Sequence, residues 1–220
     1  PYGSTTPVFG NGIPFPTFDG EPEGICAADF NKDGKQDIVC VNSATSSISF
    51  FINKTLPGAN LLSFDSSIVV QIPNQAFCDF VCAGDFNLDG KPDIACNSNQ
   101  IEGAGSNGTI VVFMNMTTIG ASVLNFSSSN SFVTDMEPLG ITAADINFDG
   151  RTDLIGANTQ GWDFSVLINN TTPGVALPYF SDAQNFTTSS GPQLIKSADF
   201  NLDGKPDITL TTFSKNDVFF

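Results

Sequence analysis

Four stretches of the chain carry oxygen-bearing side chains at a spacing that suits a hard cation. The first is Asp29-Phe30-Asn31-Lys32-Asp33-Gly34-Lys35-Gln36-Asp37, and close copies run from Asp85 to Asp93, from Asp145 to Asp153 and from Asp199 to Asp207. Each reads Asp-x-Asn-x-Asp-Gly-x-x-Asp, with donors at loop positions 1, 3, 5 and 9 and a Gly at position 6, where the backbone must turn sharply. Calcium takes six to eight oxygens at roughly 2.3–2.6 Å, so alternate residues of a tight loop can point inward while the carbonyl at position 7 adds a ligand. A metal-free Asp/Asn/Gly turn would account for one copy. Four in-phase copies favour a calcium loop.

The elements around these loops decide which kind. An EF-hand needs a bidentate Glu at position 12 and a helix on each side. Here position 12 is Cys40, Cys96, Gly156 or Leu210, and the flanks Ile25-Cys26-Ala27-Ala28 and Ile38-Val39-Cys40-Val41 are apolar runs of strand length. The loops therefore join two β-strands, with Asp at position 9 in the role that Glu has in the EF-hand. Aligned on the loops, the chain repeats in steps of 56, 60 and 54 residues, and periods of that size indicate a solenoid, a propeller or an array. Within the second period the apolar segments are 67–72, 80–84, 93–96 and 109–114, separated by Gly, Pro, Asn and Ser. Four short strands per repeat make one blade of a β-propeller. The expected class is all-β: four four-stranded antiparallel blades in one domain over 1–220, with approximate repeats 1–53, 54–115, 116–169 and 170–220. The 21 Phe suit filler between stacked blade faces.

The formal net charge is −15, but twelve of the 23 acidic residues are loop Asp. Four bound Ca²⁺ would bring the total to about −7, so the acidity reads mainly as metal chemistry. A nucleic-acid partner is not expected: there are eight Lys/Arg, and Lys32, Lys35, Lys91, Arg151 and Lys205 lie inside the loops. No apolar run of about 18 residues exists to span a membrane. The sequence starts at Pro1 with no signal peptide, as a mature product or a segment of something longer would.

Cys26 and Cys40 bracket the first loop, and Cys82 and Cys96 bracket the second at the same spacing, while the third and fourth repeats lack both members. Joint presence and absence favours bridges Cys26–Cys40 and Cys82–Cys96 over buried free thiols. Cys78 is left over: a free thiol, a bridge to another chain, or the sign of a different pairing. Asn-x-Ser/Thr triplets occur at Asn53, Asn107, Asn115, Asn125, Asn169, Asn170 and Asn185. Asn53, Asn115 and Asn169 fall at one point of three repeats, just after an apolar strand, which suggests glycans on exposed turns of an extracellular glycoprotein.

The repeat ITAADINFDGRTDLIGANTQGWDFSVLINN and its siblings resemble the VCBS/FG-GAP repeat family, the propeller blades of integrin α-subunit heads and many secreted proteins. The resemblance covers nearly the whole chain. It implies Ca²⁺, about four ions, held by Asp29, Asn31, Asp33 and Asp37; by Asp85, Asn87, Asp89 and Asp93; by Asp145, Asn147, Asp149 and Asp153; and by Asp199, Asn201, Asp203 and Asp207. The carbonyls of Lys35, Lys91, Arg151 and Lys205 would complete the sites. The chain departs from the family where Asn53-Lys54-Thr55, Asn115-Met116-Thr117 and Asn169-Asn170-Thr171 replace a Gly-rich turn.

With no His, Ser-His-Asp and Cys-His machinery and His-ligated zinc are excluded, and the acids outside the loops show no repeat-to-repeat logic. The expected function is a non-enzymatic, Ca²⁺-stabilised, N-glycosylated extracellular module with a structural or adhesive role. The segment at 6–10 reads as a spare outer strand and the last blade lacks one, so closure within the chain, strand addition to a neighbouring copy as a filament, or further blades are all open. The alternatives are a glycan-binding lectin, against which Tyr2, Trp162 and Tyr179 do not repeat, and an integrin-like protein-binding head.

Overall fold

The computed structural model describes residues 11–17, 20–65, 69–73, 77–99, 107–213 and 218–219. Four antiparallel sheets follow one another along the chain. The first holds β1 (Pro22–Ala28), β2 (Asp37–Asn42), β3 (Ser47–Asn53), β4 (Phe64–Asp65) and β5 (Val69–Gln71), the last two both on β3. The second holds β6 (Val81–Gly84), β7 (Asp93–Ser98), β8 (Asn107–Phe113) and β9 (Asn130–Met136). The third holds β10 (Pro138–Ala144), β11 (Asp153–Asn158), β12 (Asp163–Leu167) and β13 (Gln184–Thr187), and the fourth β14 (Pro192–Ala198), β15 (Asp207–Thr212) and β16 (Val218–Phe219). Each is blade-like, built up in chain order, with the acidic loop always between its first two strands. Among the described residues no helix is long and apolar enough to cross a membrane.

The sheets are out of phase with the repeats read from the sequence. Val69–Gln71, which opens the second repeat, pairs back on β3 of the first sheet, and β9 and β13 likewise close the second and third sheets. The pairing follows chain order: strands near in sequence lie side by side even across the long loops that join β8 to β9 and β12 to β13. The fourth sheet has three strands among the described residues. The spare outer strand expected at 6–10 lies outside them.

Successive strand residues point to opposite faces, and in the middle strands of the second and third sheets both faces are buried. Ile94 and Cys96 of β7, with Val111 and Phe113 of β8, join Val39, Val41, Ile48 and Phe50 in a core between the first and second sheets. Their neighbours Ala95, Ile110 and Val112 face the other way, onto Ile141, Leu154 and Leu167 of the third. A third core sets Ile155 and Val166 against Ile195 and Leu210. The aromatic fill is concrete: Phe30 and Phe86, at loop position 2, are fully buried and meet Phe50 and Phe180 edge-on, with centroids 5.9 and 5.8 Å apart. The first strands of adjacent sheets approach so closely that a Cβ at Gly140 would lie 2.5 Å from the carbonyl oxygen of Gln193. On its outer side the first sheet forms an apolar recess of about 280 Å³ with Phe15, Ile25, Ile38, Cys40, Phe51 and Phe64.

Candidate metal centre

The four loops are near copies in their hydrogen bonding. In the first, the Asp29 carboxylate accepts from the N–H of Asp33 (3.0 Å) and of Gly34 (2.9 Å), and Asp33 accepts from Lys35 N–H (3.0 Å). The same bonds recur from Asp85, Asp145 and Asp199. Gly34, Gly90, Gly150 and Gly204 hold φ between 83 and 87°, the left-handed turn that only Gly adopts at little cost. Position 4 is left-handed as well: Lys32, Leu88, Phe148 and Leu202 have φ of 55–63°. That feature escapes the sequence, because none of these residue types signals such a conformation.

The Asp at position 9 points inward from the first residue of each second strand. Asp37 accepts from Phe30 N–H (3.1 Å) across the loop and from Asn53 N–H (2.9 Å) at the end of β3. Asp93 and Asp153 repeat both bonds. Burial pushes the Asp93 carboxyl up to about 7; the N–H groups of Asn115 and Phe86 work against it, and the charges of Asp89 and Asp85 add to it. Burial raises Asp37 and Asp153 too, with the position 5 and position 1 carboxylates again adding to the effect. The three acids of each of these loops thus repel across a short space. An oxygen-only donor set with mutually repelling carboxylates is what a hard divalent cation relieves.

The arrangement is pre-turned without being gathered. Among the described residues no group of three or more Asp, Glu or Cys side chains already stands close enough to hold a metal ion. Asp29 and Asp37 are instead each engaged by backbone N–H groups, of Asp33 and Gly34 and of Phe30 and Asn53. Each carboxylate oxygen keeps a second lone pair for a metal, so the donor chemistry fits and the remaining adjustment is in side-chain angles. Asn31 is nearly buried, with its Nδ2 donating to Ala121 O of the second sheet's far loop (2.9 Å), and Asn87 donates to Val175 O in the same way. Asn147 is exposed and donates to Asp149 instead.

Three of the expected glycan acceptors have another use. Asn115 is 1% exposed and Asn169 is 0% exposed. The Asn115 Nδ2 donates to Phe30 O of the first sheet (2.8 Å) and to Pro92 O (2.9 Å), while its Oδ1 accepts from Thr117 N–H (2.9 Å). Asn169 bonds Phe86 O, Thr152 O and Thr171 N–H in the same pattern. The Thr hydroxyl then takes the N–H of Asn125 or Tyr179. The recurring Asn-x-Thr is therefore a latch between neighbouring sheets, and at Asn115 and Asn169 its amide nitrogen is buried and doubly engaged rather than exposed as on an acceptor turn. Asn53 makes the half-buried form of the latch, bonding Gln36 O and Thr55 N–H. Asn107, Asn125, Asn170 and Asn185 are exposed.

The expected bridges Cys26–Cys40 and Cys82–Cys96 are not formed, and all five cysteines are free. Register is the reason. Cys26 lies opposite Val39 and Cys40 opposite Ile25, so the two sulfurs leave opposite faces of the hairpin. Cys82 lies opposite Ala95 and Cys96 opposite Val81, and these two belong to different cores.

No curated protein matches the chain. A family model for the FG-GAP-like repeat matches residues 29–96 and 145–210, more than half of the sequence, and each matched span begins on the first Asp of a loop. With four blade-like sheets and the loop in the same place in each, the chain belongs to the FG-GAP-like repeat family.

Proposed function

We propose that this is a non-catalytic β-propeller module, stiffened by Ca²⁺ in its four loops, with a structural or adhesive role outside the cell. The observation that carries the reading is the buried position 9 Asp, set against two further carboxylates with only N–H groups to offset its charge. Bound calcium would supply charge neutralisation and a tie between loop and strand. Asp37, Asp93, Asp153 and Asp207 hold it from the strand side, and the position 1, 3 and 5 residues hold it from the loop. The extracellular setting is supported by the exposed acceptors Asn107, Asn125, Asn170 and Asn185, which tryptic glycopeptide mapping of protein made in a secretory host tests directly. Joining of copies by strand addition is supported by the fourth sheet, where β16 pairs with β15 over two residues.

Isothermal titration of the chelated chain with Ca²⁺ tests the metal reading. About four sites and a raised Tm are expected; no heat and an unchanged Tm overturn it. A protein-binding head is the second reading, and a specific feature favours it. The loops after β3, β8 and β12, at the same end as the calcium loops, expose Leu56, Leu61, Ile119, Val123 and Leu177, with Leu88, Phe148 and Leu202 beside them. Apolar side chains gathered on one rim mark an interaction surface more often than a solvated edge.

A further inference from the structure

Cys78 precedes β6, in a segment that folds over the end of β7. Phe77 lies opposite Asn99, yet Val81 lies opposite Cys96, so four steps on one side match three on the other. An extra residue of this kind re-aims side chains that plain alternation would send elsewhere. The turn is fixed by Asn97, whose Oδ1 accepts from the N–H of Asp79 (3.1 Å) and of Phe80 (2.7 Å). As a result the Cys78 Sγ lies 3.6 Å from Phe80 O and 3.8 Å from Asn97 Oδ1, beside Cys96 in sequence. Cys78 and Cys96 are both 0% exposed and belong to the core between the first and second sheets. The extra residue thus brings Cys78 into the same core that Cys96 enters from β7.

We infer that Cys78 and Cys96 are a modification site: an oxidisable pair that closes as a disulfide when the chain folds in the presence of a small-molecule disulfide. The other three cysteines are placed differently. Cys40 faces the outer recess, and Cys26 and Cys82 sit at matching positions of β1 and β6, opposite Val39 and Ala95. The chemistry is thiol–disulfide exchange. One cysteine thiolate attacks oxidised glutathione and expels one glutathione thiolate, leaving a mixed disulfide on the protein. The second cysteine thiolate then attacks the protein sulfur of that bond and expels the other. Two protein thiols lose two electrons and two protons, and one glutathione disulfide becomes two thiols. Because both sulfurs are fully buried in the native fold, exchange takes place before the first and second sheets close on each other. The bond ties the lead-in of the second blade to its central strand, at the interface with the first.

The test is refolding of the full chain in a buffer of oxidised and reduced glutathione, alkylation in denaturant without reductant, proteolysis and mass spectrometry. A linked peptide pair containing Cys78 and Cys96 is expected. Alkylation of both, or a bond from either to any other cysteine, overturns the proposal. The Cys82→Ser variant is expected to keep the linked pair, and its loss there overturns it equally. In the wild-type protein the bond is expected to resist reductant until denaturant is added. Equal reduction rates in native buffer and in denaturant overturn the burial on which the pairing rests.

Discussion

Replacing Asn115 by Ala removes one side chain that holds the first and second sheets together. The Nδ2 bonds to Phe30 O and Pro92 O and the Oδ1 bond from Thr117 N–H are all lost at a site 1% exposed. A buried polar group left without a partner costs about 1–3 kcal/mol. Two buried carbonyls and one N–H, partly compensated by relaxation, bring the expected loss to roughly 3–5 kcal/mol. Asn53→Ala is the internal control. It removes the same turn bond and a bond to Gln36 O at a half-exposed site, with no carbonyl of a preceding blade involved, and the expected loss is about 1 kcal/mol. Urea unfolding at pH 7 reads both as shifts in midpoint at constant slope. If Asn115→Ala costs no more than Asn53→Ala, the latch is not what holds the blades, and the assignment of Asn-x-Thr as a structural device fails.

Three further outcomes are expected. Gly140→Ala places a methyl group 2.5 Å from Gln193 O, where backbone must move; a loss of about 2–3 kcal/mol in the same assay is expected, and a neutral effect would show the first strands to be further apart than described. Asp163 is buried, with Asn158 Nδ2 at 2.6 Å and the Asp135 carboxyl alongside. Burial raises its native pKa, the Asn158 bond lowers it and Asp135 adds to the rise. The native state therefore holds more protons than the unfolded chain between the unfolded pKa of about 4 and the raised native one, so stability falls as pH rises across that window; Asp163→Asn is expected to flatten that part of a Tm-against-pH curve, and an unaltered curve refutes the assignment. Chelation of the calcium-loaded protein is expected to lower Tm, with the metal-free protein regaining it on readdition of Ca²⁺.

Repetition made much of the fold legible. A motif that recurs four times fixes the loop, its flanking strands and the period, and the Gly at position 6 is a turn with a physical reason. Elsewhere one pattern of letters serves two purposes. Asn-x-Thr is an acceptor triplet on an exposed turn, but the same atoms satisfy a buried turn and a neighbouring blade's carbonyl. Only burial tells the two apart, and burial at Asn115 comes from the first sheet, 85 residues earlier along the chain at Phe30. The cysteines of each pair miss a shared face by one residue. With Cys26 opposite Val39, a cysteine at 39 would have shared its face and one at 40 does not. Loop length alone does not reveal that parity.

Asn87 shows how the loops and the blade interfaces are tied, and it offers a way to separate them. Its Oδ1 points into the loop, accepting Asp89 N–H at 3.2 Å, while its Nδ2 donates to Val175 O in the third sheet's far loop at 2.9 Å. On the calcium reading one end of the amide ligates and the other end docks. Asn87→Asp keeps an oxygen toward the loop and replaces the docking donor by an acceptor facing a carbonyl. The metal-free variant is expected to lose about 1–3 kcal/mol of stability while binding Ca²⁺ within roughly tenfold of wild type, since carboxylate and amide oxygens both serve this ion. Asn87→Ala is expected to lose both properties, and Asn147→Ala, where the side chain is exposed and bonds only Asp149, to lose calcium affinity with little change in metal-free stability. Should Asn87→Asp shed calcium as completely as Asn87→Ala, the position 3 oxygen is not a ligand. The loop would then be a docking turn whose acidic residues serve the backbone alone.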